Sequence, residues 1–350
     1  MALLSTCLTL LIIEGALRVR HGGLTSAPPG HYAGMALEIL RSSYPATYDP
    51  LLGYKPEPGA AGRENPWKTT VTITEDGFRS NGRGTPPTGG PPVVAVGDSF
   101  TFGDEVSDGE TWPAYLEQAL GRPVLNAGVF GYGLDQAVLR AEAIVETTRP
   151  AILIVSITPD DIARCEYSYR FAWKPYFDLA GGDLVLRNIP VPVPGTPAGG
   201  DRLFPTLLRR SHLVSMVVRE LDPDRWAIPE SIRVHDDGLE VSKRLLDRIA
   251  GFGRERGVRV VFMAQWAPGP DYRKARALVA HAREAGIEAL DLERPLNRML
   301  PPNLDEVARW GRLFNVDEEG GRLRIGHKNP QGNKAVAEIL AEHLGAPTNR

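Results

Sequence analysis

The sequence predicts an α/β protein whose core is a parallel sheet covered by helices on both faces. Two observations carry that expectation. From Val93 onward, apolar runs at 93–97, 124–129, 151–157, 258–264 and 287–292 have the character of buried strands, and helical stretches at 111–120, 133–148, 240–256 and 271–286 lie between them. Strand–helix alternation of this kind implies crossover helices on a parallel sheet, with ligands outside the C-terminal strand ends near the switch point. The composition agrees: 350 residues, 42% hydrophobic and 24% charged, are ordinary for a globular chain with ample core.

The chain opens on "ALLSTCLTLLII" (2–13), which Glu14 interrupts before "GALRVR". The run falls short of the roughly 20 apolar residues that cross a bilayer, and an ionised residue within a longer span is costly. No Lys or Arg precedes it, while Arg18 and Arg20 follow, a bias that would keep the domain cytoplasmic. We expect an N-terminal apolar helix over 1–20, an anchor or uncleaved signal, with membrane association through residues 2–19.

Residues 21–90 form an irregular lead-in of turn signals ("APPGHY", "KPEPGAAGREN", "GRGTPPTGGPP"). Within it, "WKTTVTITEDGFRSNG" (67–82) alternates like a strand and turns at Asp76-Gly77, a short hairpin. A domain over 91–347 follows, interrupted by an insert at about 165–240 that holds a hairpin and a helix-like "PTLLRRSHLVSMVVREL". The insert's aromatic cluster, Tyr167, Tyr169, Phe171, Trp173, Tyr176 and Phe177, either roofs a pocket or packs a small core of its own.

Net charge is −3 and no basic block occurs, which argues against a nucleic-acid partner. Cys7 and Cys165 make no disulfide framework and sit in no Cys/His cluster. Asp104, Glu105, Asp108 and Glu110 cluster after Ser99 with no histidine nearby, and we take them as a solvated acidic loop rather than a metal site. No metal and no cofactor are expected.

The buried-looking strand at 93–97 ends in Gly97-Asp98-Ser99. Asp98 or Ser99 could simply cap a helix. The next clear helix, however, starts at Thr111-Trp112-Pro113, which leaves Ser99 free for another role. A nucleophilic serine needs a general base and N–H groups for the oxyanion. Of the seven histidines, His281 and His343 lie in helical stretches, His21 and His31 in the lead-in, His212 on the insert helix and His235 on a polar loop. His327, on a loop just before the last helix, is placed at the functional edge of such a sheet.

Three motifs in order, "VGDSFTFG", "NAGVFGYGLDQ" and "GHKNPQGNKAVAE", resemble the SGNH (GDSL-type) hydrolases over roughly 93–345, and the lead-in is similar to that of membrane-anchored members. The resemblance implies a flavodoxin-like, doubly wound three-layer α/β/α sheet and Ser/His hydrolysis of acyl esters. Ser99 matches the nucleophile and His327 the general base. The oxyanion hole would come from Ser99, Gly128 and the residue at 160. The anchored relatives imply an extracytoplasmic, membrane-associated domain, against the charge bias.

Two departures stand out. Asp160 occupies the place of the usual Asn donor, and an ionised carboxylate accepts hydrogen bonds and repels an oxyanion. Arg324 occupies the place of the usual Asp before the histidine. The sequence therefore predicts a Ser99–His327 dyad oriented by main chain, with Asp317 as runner-up acid. The expected function is a serine esterase acting on a small-molecule or glycan acyl ester, such as an O-acetyl ester, through an acyl-enzyme. The alternatives are an O-acyltransferase using the same site and a non-catalytic relative that binds a glycan or acylated ligand.

Overall fold

A computed structural model describes residues 2–20, 23, 44–60, 68–85, 87–170, 172–193, 211–221, 231–269, 271–319 and 322–346. Most of the lead-in before Tyr44, Trp67, Phe171 and two stretches of the insert (194–210 and 222–230) lie outside the described residues.

Residues Ala2–Arg20 form a helix. If the expected anchor is taken as a transmembrane helix, it is corrected: no helix among the described residues is long and apolar enough to cross a membrane. Glu14 bonds Arg18 at 2.7 Å and also accepts from Ser211 Oγ, the His212 amide and the Leu213 amide. Partial burial pushes its carboxyl up, but these donors prevail and hold it at about 2, so a fixed charge interrupts the apolar helix. The same bonds dock this helix onto the start of helix His212–Leu221.

Strands β1 (Ala46–Asp49) and β2 (Gly53–Pro56) pair antiparallel. The expected hairpin at 67–82 is present in short form, as an antiparallel bridge between Ile73 and Arg79 around a turn at Gly77. Tyr54, Val71 and Ile73 are buried in the main core, so the described lead-in packs as part of the body. The sheet then begins with β3 (Val93–Val96), β4 (Val124–Asn126) and β5 (Ile152–Ile157). In the insert, β6 (Tyr167–Arg170), β7 (Ala172–Trp173) and β10 (Ser231–Arg233) make a three-stranded antiparallel sheet, and β8 (Tyr176–Ala180) pairs β9 (Asp183–Arg187). Strands β11 (Arg259–Ala264) and β12 (Glu288–Asp291) complete the main sheet, and β13 (Phe314–Glu319) and β14 (Arg322–Lys328) form a terminal hairpin.

The main sheet has five strands in the order β12-β11-β5-β3-β4, every pair parallel. Helices Trp112–Leu120 and Pro330–His343 pack together as one outer layer, and Leu134–Thr148, Gly238–Arg256 and Arg273–Glu284 as the other. Covered on both faces, β3 has no solvent side; Val93, Val94 and Val96 are fully buried and each contributes about 1.5–3 kcal/mol. The chain leaves β3 toward β4 on one side and returns to β5 on the other. The switch point is therefore between β3 and β5, where Gly97-Asp98-Ser99 emerges.

The described aromatics of the insert pack on one another and on the body. Tyr169 packs edge-on to Trp173 at 5.3 Å, and buried Phe177 lies under Arg248 of helix Gly238–Arg256. Lys174, between these strands, pairs with buried Asp135 and donates to the Arg164, Tyr167 and Pro175 carbonyls. Phe177 and Ala172 thus join the main core rather than a separate one.

Candidate active site

Ser99 opens a one-turn helix, Ser99–Phe102, directly after β3. Asp98 caps it, accepting the Phe100 amide at 3.0 Å. Gly97 is required just before: its φ is +155°, and a Cβ there would lie 2.5 Å from the Ser156 carbonyl oxygen of β5. Asp98 is also fixed from β5's end by Thr158 Oγ at 3.1 Å and Arg164 Nη1 at 3.2 Å. The same guanidinium bonds Asp161 at 2.6 Å and the Tyr132 carbonyl at 3.0 Å. Burial, with the charge of Asp98 beside it, pushes the Asp161 carboxyl well up. Capping and a free serine thus coexist, because Asp98 takes the capping role.

The residues after this helix were expected to be a solvated acidic loop, and the structure corrects that. Asp104 and Asp108 are buried and the Glu105 side chain is 8% exposed. Arg79, from the lead-in turn, is the organiser. Its fully buried guanidinium bonds Asp108 at 2.9 Å and the carbonyls of Phe102, Gly103 and Val106 at 2.8–3.0 Å. With those carbonyls drawn around one cation, the loop between Gly103 and Asp108 folds inward.

His327 lies within β14, not on a loop as expected. The ladder with β13 shifts register between Phe314 and Val316, opposite His327. The Lys328–Asn329 step is anchored by the helix that follows: Asn329 caps it through the Gly332 amide at 2.9 Å, and Asn333 holds the Lys328 carbonyl at 2.9 Å. Asn333 also accepts the Trp112 amide at 3.1 Å, tying the histidine's support to the helix that follows Ser99's loop.

These elements bring Ser99 Oγ to 2.8 Å from His327 Nε2. On the other side of the ring, Nδ1 is 2.8 Å from Glu105 Oε1, while Glu105 Oε2 accepts the His327 amide at 3.0 Å and Asn315 Nδ2 at 3.1 Å. A carboxylate can only accept, so Nδ1 carries the hydrogen and Nε2 is left to accept from the serine hydroxyl. Burial pushes the Glu105 carboxyl up, but the hydrogen bond and charge of His327 outweigh it and hold it below the usual range. Burial likewise pushes His327 down, and the Glu105 hydrogen bond with the charges of Asp104, Glu105 and Asp98 raises it overall. Phe100 packs on the imidazole at 4.6 Å between ring centres, and the buried Lys328 ammonium lies 4.4 Å over the same Phe100 ring. Burial pushes that ammonium down to about 7.

Three further expected site residues have the following surroundings. Asp317 is exposed on β13, in register with Arg324. Three residues, about 10 Å of strand, separate Arg324 from His327, so Asp317 is not behind the imidazole. The main-chain orientation expected for His327 is replaced by the Glu105 carboxylate. The Gly128 N–H donates to Asn126 Oδ1 at 3.1 Å, and a Cβ on Gly128 would lie 2.8 Å from Thr101 main chain. That approach leaves no room for a side chain at Gly128. Asp160 stands at the second position of helix Pro159–Arg164, 58% exposed and 3.9 Å from Arg164, so a guanidinium offsets its charge. The Ser99 amide donates to no acceptor among the described residues. The sequence held one signal for the missed Glu105: it stands between Gly103 and an apolar Val106, an unlikely frame for a solvated loop.

No protein-family model matches the chain, and no curated protein matches it. Among solved structures it is similar to a lipolytic protein of the G-D-S-L family from Desulfitobacterium hafniense, with 17% identity, 72% of this chain and 99% of that chain covered, and a TM-score of 0.41. It is similar also to an acetylxylan esterase from Geobacillus stearothermophilus, with 13% identity, 75% and 98% coverage and a TM-score of 0.41. A third likeness is to TesA, with 13% identity, 73% and 98% coverage and a TM-score of 0.38.

Proposed function

We propose that this chain hydrolyses carboxylic esters through an acyl-enzyme on Ser99, with His327 as base and Glu105 as the acid that orients it. The observation that carries this is the unbroken series Glu105 Oε1–His327 Nδ1 and His327 Nε2–Ser99 Oγ, each 2.8 Å. Ser99 Oγ attacks the ester carbonyl while Nε2 takes its proton, and the imidazolium is stabilised by the carboxylate at Nδ1. The carbonyl oxygen becomes an oxyanion, for which the Ser99 amide at the start of its helix is a donor. Collapse expels the alcohol, which leaves with the proton from Nε2. Water then attacks the acyl-serine, gives its proton to Nε2, and the acid departs as Oγ is reprotonated.

Ser99 is only 3% exposed, which favours a small acyl group such as acetyl on a larger alcohol or glycan. The test is hydrolysis of nitrophenyl esters of increasing acyl length and of O-acetylated glycans. Acetyl esters should be turned over fastest and Ser99→Ala should abolish turnover. Wild-type turnover in Ser99→Ala, or none in wild type across both substrate sets, refutes the assignment.

We further propose that helix Ala2–Arg20 attaches the chain to a membrane surface. Leu8, Leu11, Ile12 and Val19 are exposed on it, whereas Glu14 is turned toward Ser211–Leu213. Full-length chain should sediment with membranes in buffer of ordinary salt, and a chain lacking residues 2–20 should not; recovery of the full-length chain wholly in the soluble fraction overturns this.

A further inference from the structure

We propose that Asp104 is a positioning residue for His327: a second buried carboxylate that, with Glu105, brackets the imidazole and favours its protonated state as Ser99 is acylated. The proposal rests on the ester-hydrolase assignment of Ser99 and His327. Asp104 is 0% exposed. Its Oδ2 lies 3.9 Å from His327 Nε2, the nitrogen that faces Ser99, and accepts the Tyr44 hydroxyl at 2.9 Å. Its Oδ1 is buried with no hydrogen-bond partner among the described residues.

A carboxylate in that position is costly unless positive charge forms beside it. His327 Nε2 is where such charge forms during the reaction. The charged and titratable groups around Asp104 are His327 from β14, Tyr44 from ahead of β1, Tyr54 from β2, Asp98 from the end of β3, Arg79 from the lead-in turn and its neighbour Glu105. Burial, with the charge of Asp98 beside it, raises Asp104 to about 7 even though the charge of His327, the Tyr44 hydroxyl and Arg79 pull the other way. Among the groups that raise His327, the charge of Asp104 comes directly after the Glu105 hydrogen bond. The two groups therefore gain charge together. When the Ser99 proton reaches Nε2, an imidazolium faces carboxylates at both nitrogens. Tyr44, stacked on Phe130 at 4.1 Å, fixes which Asp104 oxygen turns toward the ring. Glu105 sets the tautomer; Asp104 supplies charge at the reacting edge.

Asp104→Asn keeps the size and the acceptor for Tyr44 but removes the charge. The His327 titration is followed by NMR of the full chain carrying ¹⁵N-labelled histidine, alongside kcat/KM against pH for a nitrophenyl ester. Asp104→Asn should lower the His327 midpoint by about one unit or more, and move the acid limb of kcat/KM equally. The kcat/KM plateau should fall about tenfold. Tyr44→Phe should give a smaller shift in the same direction, and it carries the test should Asp104→Asn not fold. A purely structural Asp104 would lower activity without moving either titration, and an unmoved His327 midpoint in a folded variant overturns the proposal. If the midpoint moves but wild type hydrolyses no ester, the hydrolase assignment falls while the Asp104–His327 coupling stands.

Discussion

Glu105→Gln isolates the acid. Three donors converge on the two Glu105 oxygens: His327 Nδ1–H at 2.8 Å, the His327 amide at 3.0 Å and Asn315 Nδ2 at 3.1 Å. A carboxylate accepts all three, but a glutamine amide has one oxygen and two hydrogens to donate. With its oxygen toward Nδ1, its NH₂ is pressed against the other two donors. With its NH₂ toward Nδ1, that nitrogen must accept, the hydrogen moves to Nε2, and Nε2 no longer takes the Ser99 proton. Either way the negative charge beside the imidazolium is lost. Disabling this role costs on the order of 10⁴ in rate in a comparable triad, about 5 kcal/mol in the barrier. The lost acceptor should also lower folding stability by about 1–3 kcal/mol. The assay is kcat/KM on nitrophenyl acetate at neutral pH, paired with a urea unfolding curve. We expect a fall of about 10³–10⁴ in a variant that still unfolds cooperatively. Activity within about threefold of wild type would refute Glu105 as the acid.

Other outcomes follow from the same geometry. Asp317→Asn should keep activity within about twofold, since Asp317 is exposed and opposite Arg324; a loss beyond about a tenfold change in the nitrophenyl acetate assay would restore it as the acid. Arg79→Met should cost about 3–5 kcal/mol in urea unfolding, because Asp108 and three loop carbonyls lose a buried partner; a loss under about 1 kcal/mol would contradict the role given to Arg79. His327 is raised above 6.5 and acts as a neutral base, so kcat/KM should fall as pH drops through a midpoint above 6.5. Glu105 is held below 4.5, so its contribution to stability is full above 4.5 and lost as pH falls through its lower folded value. A pH profile flat between 5 and 8 would contradict the first of these, and a thermal midpoint unchanged across the acid range would contradict the second.

The sheet was legible because its strands are buried on both faces and stay apolar throughout, as in Val93–Val96 and Ile152–Ile157. Ser99 and His327 were legible because each sits where a regular element ends or a helix begins, with turn and capping residues beside it. Glu105 was not. It is 222 residues from His327, and its direction depends on Arg79 gathering the carbonyls of a loop whose inward fold the Gly103–Val106 frame hints at but does not aim. The bond from the Gly128 N–H to Asn126 Oδ1, two residues earlier, is likewise a local contact that motif position does not reveal. The helix at the start was visible, but its link from Glu14 to Ser211–Leu213 spans 197–199 residues and no periodicity announces it.

The central claim is that His327 activates Ser99 as a nucleophile, and a fluorophosphonate probe tests it most directly. Attack by Oγ forms a serine phosphonate ester, fluoride leaves, and the proton passes to Nε2. Intact mass spectrometry of the full chain, followed by peptide mapping, reads the site and the stoichiometry. The account predicts one adduct per chain, on Ser99, absent in Ser99→Ala and strongly slowed in Glu105→Gln. A folded wild-type chain that stays unlabelled, or is labelled at another residue, would contradict it.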